Sequence, residues 1–285
     1  MASITTLSKS GTNDDNVIFT ANESEVARLD KQHRIVLSAM PTQVLAPIDL
    51  NTGGLRILDQ ATGSGIWLRD LRDTITPHIP NAYVGTDIET SYFPSATSIP
   101  SDMSYSSQSM TASWPTEWQN SFDLVHSRFA LPGIGTHPLA DVVNNLIALV
   151  KPGGWIQFVE MEWESWDFGV AGQQLHHATK QLFATVSNGQ GVDLRVKLSS
   201  LLKDAGLIDI GEKVVGIQVG KSAKEVVREM SQEIMFATAS GVVDTLGKLG
   251  LGKDDLDSMP GRLIEEIRER GGEWKACVVW AQKPC

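Results

Sequence analysis

The chain has 285 residues, 41% of them hydrophobic and 20% charged, which is enough apolar content for a sizeable core. Its 34 acidic and 24 basic side chains leave a net charge of −10, and such a surface repels phosphate backbones and anionic headgroups, which argues against nucleic-acid and membrane partners. No apolar run approaches the ~18 residues of a membrane span; the opening MASITTLSKSGTNDDN lacks an apolar signal core and the two cysteines make no disulfide framework, so a reduced, cytoplasmic protein is expected.

Residues 1–21 read as a polar tail. A helix is predicted from Asn22, where Asn22 and Glu25 have capping-box spacing, with Val26, Leu29, His33, Val36, Leu37 and Met40 on one stripe and Pro41 closing the segment. From residue 55 the period changes. LRILDQA is a buried strand, TGSG a tight turn and IWLRDLRDTI a helix; AYVGTDI (82–88) is a second strand. A short strand is expected near Met103–Ser107, another at FDLVHSR (122–128), then a helix at 138–150, a Lys151-Pro152-Gly153-Gly154 turn and the strand WIQFVEME. Strands alternating with helices predict an α/β chain with a doubly wound, mostly parallel sheet. Helices around 171–186 and 195–205 follow, then strands at 214–219 and 276–282. The roughly 50 residues between those last strands are too long for a hairpin loop and read as a helical cap.

The turn after the first strand carries the chemistry. Asp59 ends the strand, and Ala61-Thr62-Gly63-Ser64-Gly65 opens a helix, which suits a nucleotide-type ligand because glycine lets the backbone approach it and the helix N-terminus offers free N–H groups. A dinucleotide fingerprint fails because Leu68 stands where its last glycine belongs, and starting from position 61 places Ala61 and Ile66 in the outer glycine slots. The near-match to a P-loop, Gly216 to Ser222, is one residue short. What remains is Asp-x-Ala-x-Gly-x-Gly, the pattern of S-adenosylmethionine sites, with Asp87 at the end of the second strand placed to hold ribose hydroxyls.

With Arg28-Leu29-Asp30-Lys31-Gln32-His33, Ile57-Leu58-Asp59, Gly63-Ser64-Gly65-Ile66-Trp67, Phe122 to Arg128 and Lys151-Pro152-Gly153-Gly154, the chain resembles class I S-adenosylmethionine-dependent methyltransferases, in particular the fungal LaeA-like (UMTA) secondary-metabolism group. The resemblance implies a seven-stranded sheet with the last strand antiparallel. It also implies that Asp59, Ala61, Gly63 and Gly65 meet the methionine end of the cofactor, and that Asp87 with Ile88 meets the ribose. Gln108, Ser109 and Met110 then stand at the adenine, where Gln108 replaces the usual acid and must accept through its amide oxygen. The expected organisation is a tail and lid helix over 1–50 and a methyltransferase domain over 51–285, with the cap at about 221–272.

Methyl transfer needs alignment above all, and a base when the acceptor arrives protonated. His126 at the end of the fourth strand is the candidate base or positioning group, against a structural histidine; Arg128 is a candidate anchor or substrate-carboxylate partner, against an ion pair. His33 sits on an apolar stripe and reads as a core residue. His176 and His177 are adjacent and no Cys/His cluster exists, so no metal is expected. Glu160, Glu162, Trp163 and Trp166 should rim the pocket, and a tryptophan cluster there suits an aromatic or heterocyclic substrate or packs the cap onto the sheet. The expected activity is methyl transfer to an O, N or S atom of a small-molecule secondary metabolite. The rivals are a cofactor-holding catalyst of a rearrangement or cyclisation, and a regulatory protein working through protein partners.

Overall fold

The computed structural model describes Ile18, residues 22–252 and residues 255–285. The expected tail over 1–21 lies, Ile18 apart, outside the described residues, as do two positions of the expected cap. In chain order the elements are α1 (Glu23–Ala39), β1 (Arg56–Gln60), α2 (Ile66–Thr74), β2 (Ala82–Asp87), β3 (Met103–Ser107), β4 (Phe122–Arg128), α3 (Leu139–Leu149) and β5 (Val150–Asp167). Then follow α4 (Val170–Val186), α5 (Leu194–Asp204), β6 (Ile208–Val219), α6 (Glu225–Lys248), α7 (Met259–Glu269) and β7 (Gly272–Gln282).

The seven strands form one sheet in the order β3-β2-β1-β4-β5-β7-β6. The first five run parallel, and β7 lies antiparallel between β5 and β6. This is the doubly wound sheet with a reversed last strand. Alternation along β1 sends neighbouring side chains to opposite faces. Leu58 joins Val125, Ile156 and Val279 beneath Leu146 of α3 and Leu198 of α5, while Ile57 joins Tyr83, Leu124 and Trp155 against Trp67, Leu68 and Leu71 of α2. A third cluster brings Val36 of α1, Leu175 of α4, Ala239 of α6 and Leu263 of α7 onto Val159, Ile217 and Val278 of the β5–β7–β6 side.

Strand lengths depart from expectation where apolar patterning is weak. β6 begins at Ile208 rather than 214; its first half is mostly exposed and is held by backbone pairing with β7 and by Ile210 against the core. The expected turn at Lys151–Gly154 lies inside β5. Gly153, at φ +77°, donates to the Lys283 carbonyl at 2.8 Å, and Lys283 returns a 2.9 Å bond to Gly154.

Helix α1 starts at Asn22, whose Oδ1 accepts the Glu25 N–H at 3.0 Å. The reciprocal half of the capping box is replaced: the Glu25 carboxylate instead takes two N–H bonds from Arg28, both at 2.7 Å. The buried face holds Arg28, His33, Ile35 and Val36. No helix among the described residues is long and apolar enough to cross a membrane.

The connector from α1 to β1 is tied to β5 by one buried side chain. Gln157 accepts from Leu45 N–H at 2.6 Å and Ala46 N–H at 3.1 Å through Oε1, and donates from Nε2 to the Gln43 carbonyl at 3.0 Å. Each buried polar group left unpaired costs ~1–3 kcal/mol. Gln157→Leu should therefore destabilise the fold by about 3 kcal/mol, seen as a lower denaturant midpoint at constant m-value; an unchanged midpoint would show that the connector does not depend on this amide.

Candidate functional site

The turn between β1 and α2 follows a left-handed course, with Ala61 at φ +54°, Gly63 at +55° and Gly65 at +75°. Thr62 N–H reaches the Thr86 carbonyl at 2.9 Å, and Gly65 N–H closes on the Thr62 carbonyl at 2.9 Å, so the turn is laid against the end of β2. Asp59, 3% exposed, holds it from below. Its Oδ2 accepts from the Thr62 hydroxyl and its Oδ1 from the His126 Nδ1–H, both at 2.7 Å.

Asp87 sits across the turn. Its Oδ2 accepts the Gly63 N–H at 2.8 Å and its Oδ1 the Glu89 N–H at 3.0 Å. Each oxygen keeps acceptor capacity, enough for the two hydroxyls of a ribose. Burial pushes the Asp87 carboxyl up to about 6, only partly offset by those N–H bonds. Above the turn opens a cavity of about 250 Å³. Asp59, Ala61, Gly63, Asp87, Ile88, Gln108 and Met110 all line it. A Cβ on Gly63 would meet one neighbour, Leu29 Cδ1 at 3.2 Å, so the missing side chain leaves its space to the cavity. The Gln108 amide nitrogen is engaged by the carbonyls of Ser109 at 2.9 Å and Ser113 at 3.3 Å, which leaves its oxygen as the acceptor.

Three expected site residues are placed elsewhere. Gly65 does not line the cavity; a Cβ there would run into the Tyr105 ring, so glycine serves packing. Ser109 is turned into its own loop, where Oγ accepts the N–H groups of Thr111 and Ala112 at 3.0 and 3.2 Å. His126 is fully buried below the turn, stacked on the Trp67 indole at 3.8 Å and 4°, and faces a separate void of about 10 Å³. Burial lowers its pKa, against the opposing pull of Asp59. With Nδ1–H given to Asp59, Nε2 has no partner among the described residues, and His126 does not line the cavity. Position 126 shares its face of β4 with Arg128 but lies two residues short of the strand end, covered by Asp59 and the Trp67 ring of α2.

Arg128 does line the cavity. Its guanidinium donates to His33 Nδ1 at 2.9 Å, and His33 Nε2–H donates to Asp70 Oδ2 at 2.8 Å. Burial, reinforced by the Arg128 charge, pulls His33 down to about 4, so it spans β4 and α2 as a neutral imidazole.

The far end of the cavity is apolar: Phe129, Met161, Trp166, Phe183, Met235 and Trp274 line it around Glu160. Trp163 stands behind Trp166, ring centroids 5.7 Å apart, and Glu162 binds Arg195 at 2.5 Å, so neither reaches the cavity. Sequence reasoning missed Arg28, Gln32, Tyr92, Phe129, Met235 and Trp274, which no single motif joins.

A glycine turn open to the cavity, a buried acid with free acceptor capacity and an aromatic wall fit S-adenosylmethionine, whose sulfonium is drawn to π faces. No protein-family model matches the chain. It is 32% identical over 244 residues to the methyltransferase psoC of Aspergillus fumigatus, covering 84% of this chain and 87% of that one. It is 30% identical over 282 residues to the N-methyltransferase sirN of Leptosphaeria maculans, with 95% and 96% covered. With the N-methyltransferase tcpN of Claviceps purpurea it shares 32% over 265 residues, with 89% and 92% covered. Among solved structures it is similar to a chain of the Haloferax volcanii complex containing the Trm112 methyltransferase activator, at a TM-score of 0.54 and 15% identity over 92% of this chain and 95% of that one, which shows the fold.

Asp87→Ala should weaken S-adenosylmethionine binding by roughly 1.5–3 kcal/mol, the worth of hydrogen bonds to a charged group. Wild-type affinity should fall as pH drops through about 6, where the carboxyl gains a proton. Calorimetry across pH 5–8 checks both; a flat profile would separate Asp87 from the ligand. Gly63→Val should abolish binding while circular dichroism still reports the fold.

Proposed function

We propose, for a chain that belongs to the S-adenosylmethionine-dependent methyltransferases of fungal secondary metabolism, that the methyl group goes to a nitrogen atom of a flat, largely apolar small molecule. The chain is an enzyme and its substrate a small molecule; the cofactor, when bound, supplies a methyl group on a sulfonium sulfur.

The observation that carries the nitrogen reading is the composition of the wall. Among the described residues the cavity is lined by no histidine, cysteine or lysine. A hydroxyl would have to lose a proton as it attacks. Of the two cavity carboxyls shifted toward neutral pH, Asp87 faces the ribose position and Glu160, pushed up to about 8, already holds its proton at pH 7, so neither is a free base for the acceptor. A neutral amine attacks through its lone pair with no base, and alignment then accounts for most of the acceleration. The names of sirN and tcpN point the same way.

In this reading Asp87 and Ile88 hold the ribose, Gln108 and Met110 the adenine, and the turn from Asp59 to Gly63 the methionine end. Arg128, a cation held by a neutral histidine, is suited to a carboxylate. Residues 1–50 act as tail and lid helix, and 51–285 as the methyltransferase domain with its cap at about 221–272. Glu25, Arg28, Leu29 and Gln32 of α1 and Ile234, Met235 and Thr238 of α6 border the same cavity, and Lys31 joins Glu233 across them at 2.5 Å, which supports a cover built from both helices.

Incubation with methyl-labelled cofactor and matched panels of amines, phenols and thiols, read by mass, should give label on amines; label confined to phenols or thiols would overturn the nitrogen reading. His126→Ala should cost about 3 kcal/mol of stability through the emptied site and the unpaired Asp59 oxygen. The mutant should keep the shape of the wild-type pH–rate profile, and loss of an acidic limb below the ordinary histidine range would restore His126 as a base.

A further inference from the structure

Glu160 is the polar group at the apolar end of the cavity. It is fully buried on β5 and lines the cavity wall. Its Oε1 accepts the N–H groups of Ala130 at 3.2 Å and Leu131 at 3.1 Å, the second and third residues past the end of β4. Its Oε2 is buried and has no hydrogen-bond partner among the described residues. A buried carboxyl oxygen without a partner costs free energy comparable to a lost hydrogen bond, so a group held in this state is matched to something that enters the cavity. Asp87 ends β2 and Glu160 lies on β5, three strand spacings away, or about 14 Å. Glu160 thus belongs to the end opposite the ribose site, among Phe129, Met161, Trp166 and Trp274.

We propose that Glu160 is the substrate anchor of this enzyme: its Oε2–H donates a hydrogen bond to a carbonyl oxygen on an otherwise apolar aromatic substrate whose acceptor nitrogen lies elsewhere in the molecule. The inference rests on the nitrogen reading above. The direction of the bond follows from the partners. Two N–H donors already point at Oε1 and favour the ionised form, so the proton of the neutral group resides on Oε2 and makes that oxygen the donor. Burial pushes the carboxyl up to about 8, so this neutral form prevails at pH 7. The titratable groups around it do not oppose that state. Cys277, its neighbour on β7, is pushed up to about 12 and stays a thiol. On β4 Arg128 is engaged by His33, and on α4 His176 is bonded to the Trp163 carbonyl at 2.9 Å. Glu25, Arg28, Asp59 and Asp87 border the cavity toward its other end, and Glu25 is paired with Arg28.

The test uses the full chain with S-adenosylhomocysteine bound, and two neutral anilines that differ in one oxygen, 3-aminoacetophenone and 3-ethylaniline. Calorimetry should show the wild type preferring the ketone by about tenfold at pH 7, the worth of one hydrogen bond, and losing that preference at pH 9 as Oε2 ionises. Glu160→Gln keeps an acceptor for the two N–H groups and a donor for the ketone. It should retain the preference at both pH values, whereas Glu160→Leu should lose it at both. Infrared difference spectra should carry a protonated-carboxyl band in wild type that fades through about pH 8 and is missing in Glu160→Gln. Equal affinity of the two anilines for wild type, including no measurable binding of either, overturns the proposal. So does loss of the ketone preference in Glu160→Gln, which would mean a carboxylate is required. Methylation is read separately by mass: label on oxygen defeats the nitrogen reading, while an absent ketone preference defeats the anchor.

Discussion

A carboxylate on the innermost strand of a parallel sheet has to be satisfied by whatever the chain brings beside it, and the cofactor end of this protein is organised by that demand. Asp59 is buried where water cannot solvate it, and its two oxygens are met by Thr62 from the turn and His126 from β4. The first bond curls the turn back over the strand end; the second draws β4 against β1 and fixes the imidazole against Trp67. Once the turn is curled, Gly63 presents its N–H to Asp87, and two buried acids end up on either side of one loop. The charge of Asp59 contributes to raising Asp87. The same arrangement that shapes the turn thus tunes the group facing the ribose position.

A second constraint joins the helices to the sheet. Arg128 is a cation in a buried setting and would ordinarily need a carboxylate beside it. Here it leans on the lone pair of a neutral imidazole, and the carboxylate of Asp70 is one residue further along the chain of bonds. The guanidinium keeps its charge for the cavity. Because His33 belongs to α1, Asp70 to α2 and Arg128 to β4, the covering helix is registered to the strand end that it covers.

Much of this was legible before any coordinates. The change of hydrophobic period at residue 55, the short strand at Met103–Ser107, the tight glycine turn and the acid at Asp87 all follow from local patterns that the fold respects. What stayed hidden is of another kind. His126 shares its face of β4 with Arg128, which does reach the cavity, but lies two residues short of the strand end, beneath Asp59 and against Trp67. Gln157 looks like any polar residue in a strand until three backbone groups from residues 43 to 46 converge on it. Glu160 was in view as a rim residue, yet its significance lies in an oxygen that nothing meets, and Trp163 and Trp166 with the same motif fall on either side of the cavity wall. Properties decided by which groups fail to find a partner have no sequence period.

The position of β7 bears on how the molecule comes into being. Synthesis runs from the N-terminus, so the parts of the sheet become available in chain order. The strands that bear the turn, Asp87 and Arg128 are complete by residue 128, so the cofactor half has all its parts early. β7 comes last among the described strands in chain order, and it is not an edge: it must slip between β5 and β6, pairing Cys277 with Glu160 on one side and Val214 on the other. Trp274, one wall of the apolar end, arrives with it. A nascent chain halted before Gly272 therefore holds two unmatched strand edges and half a pocket. The pocket is closed only when β7 is in place, which ties the ability to turn over a substrate to completion of the sheet.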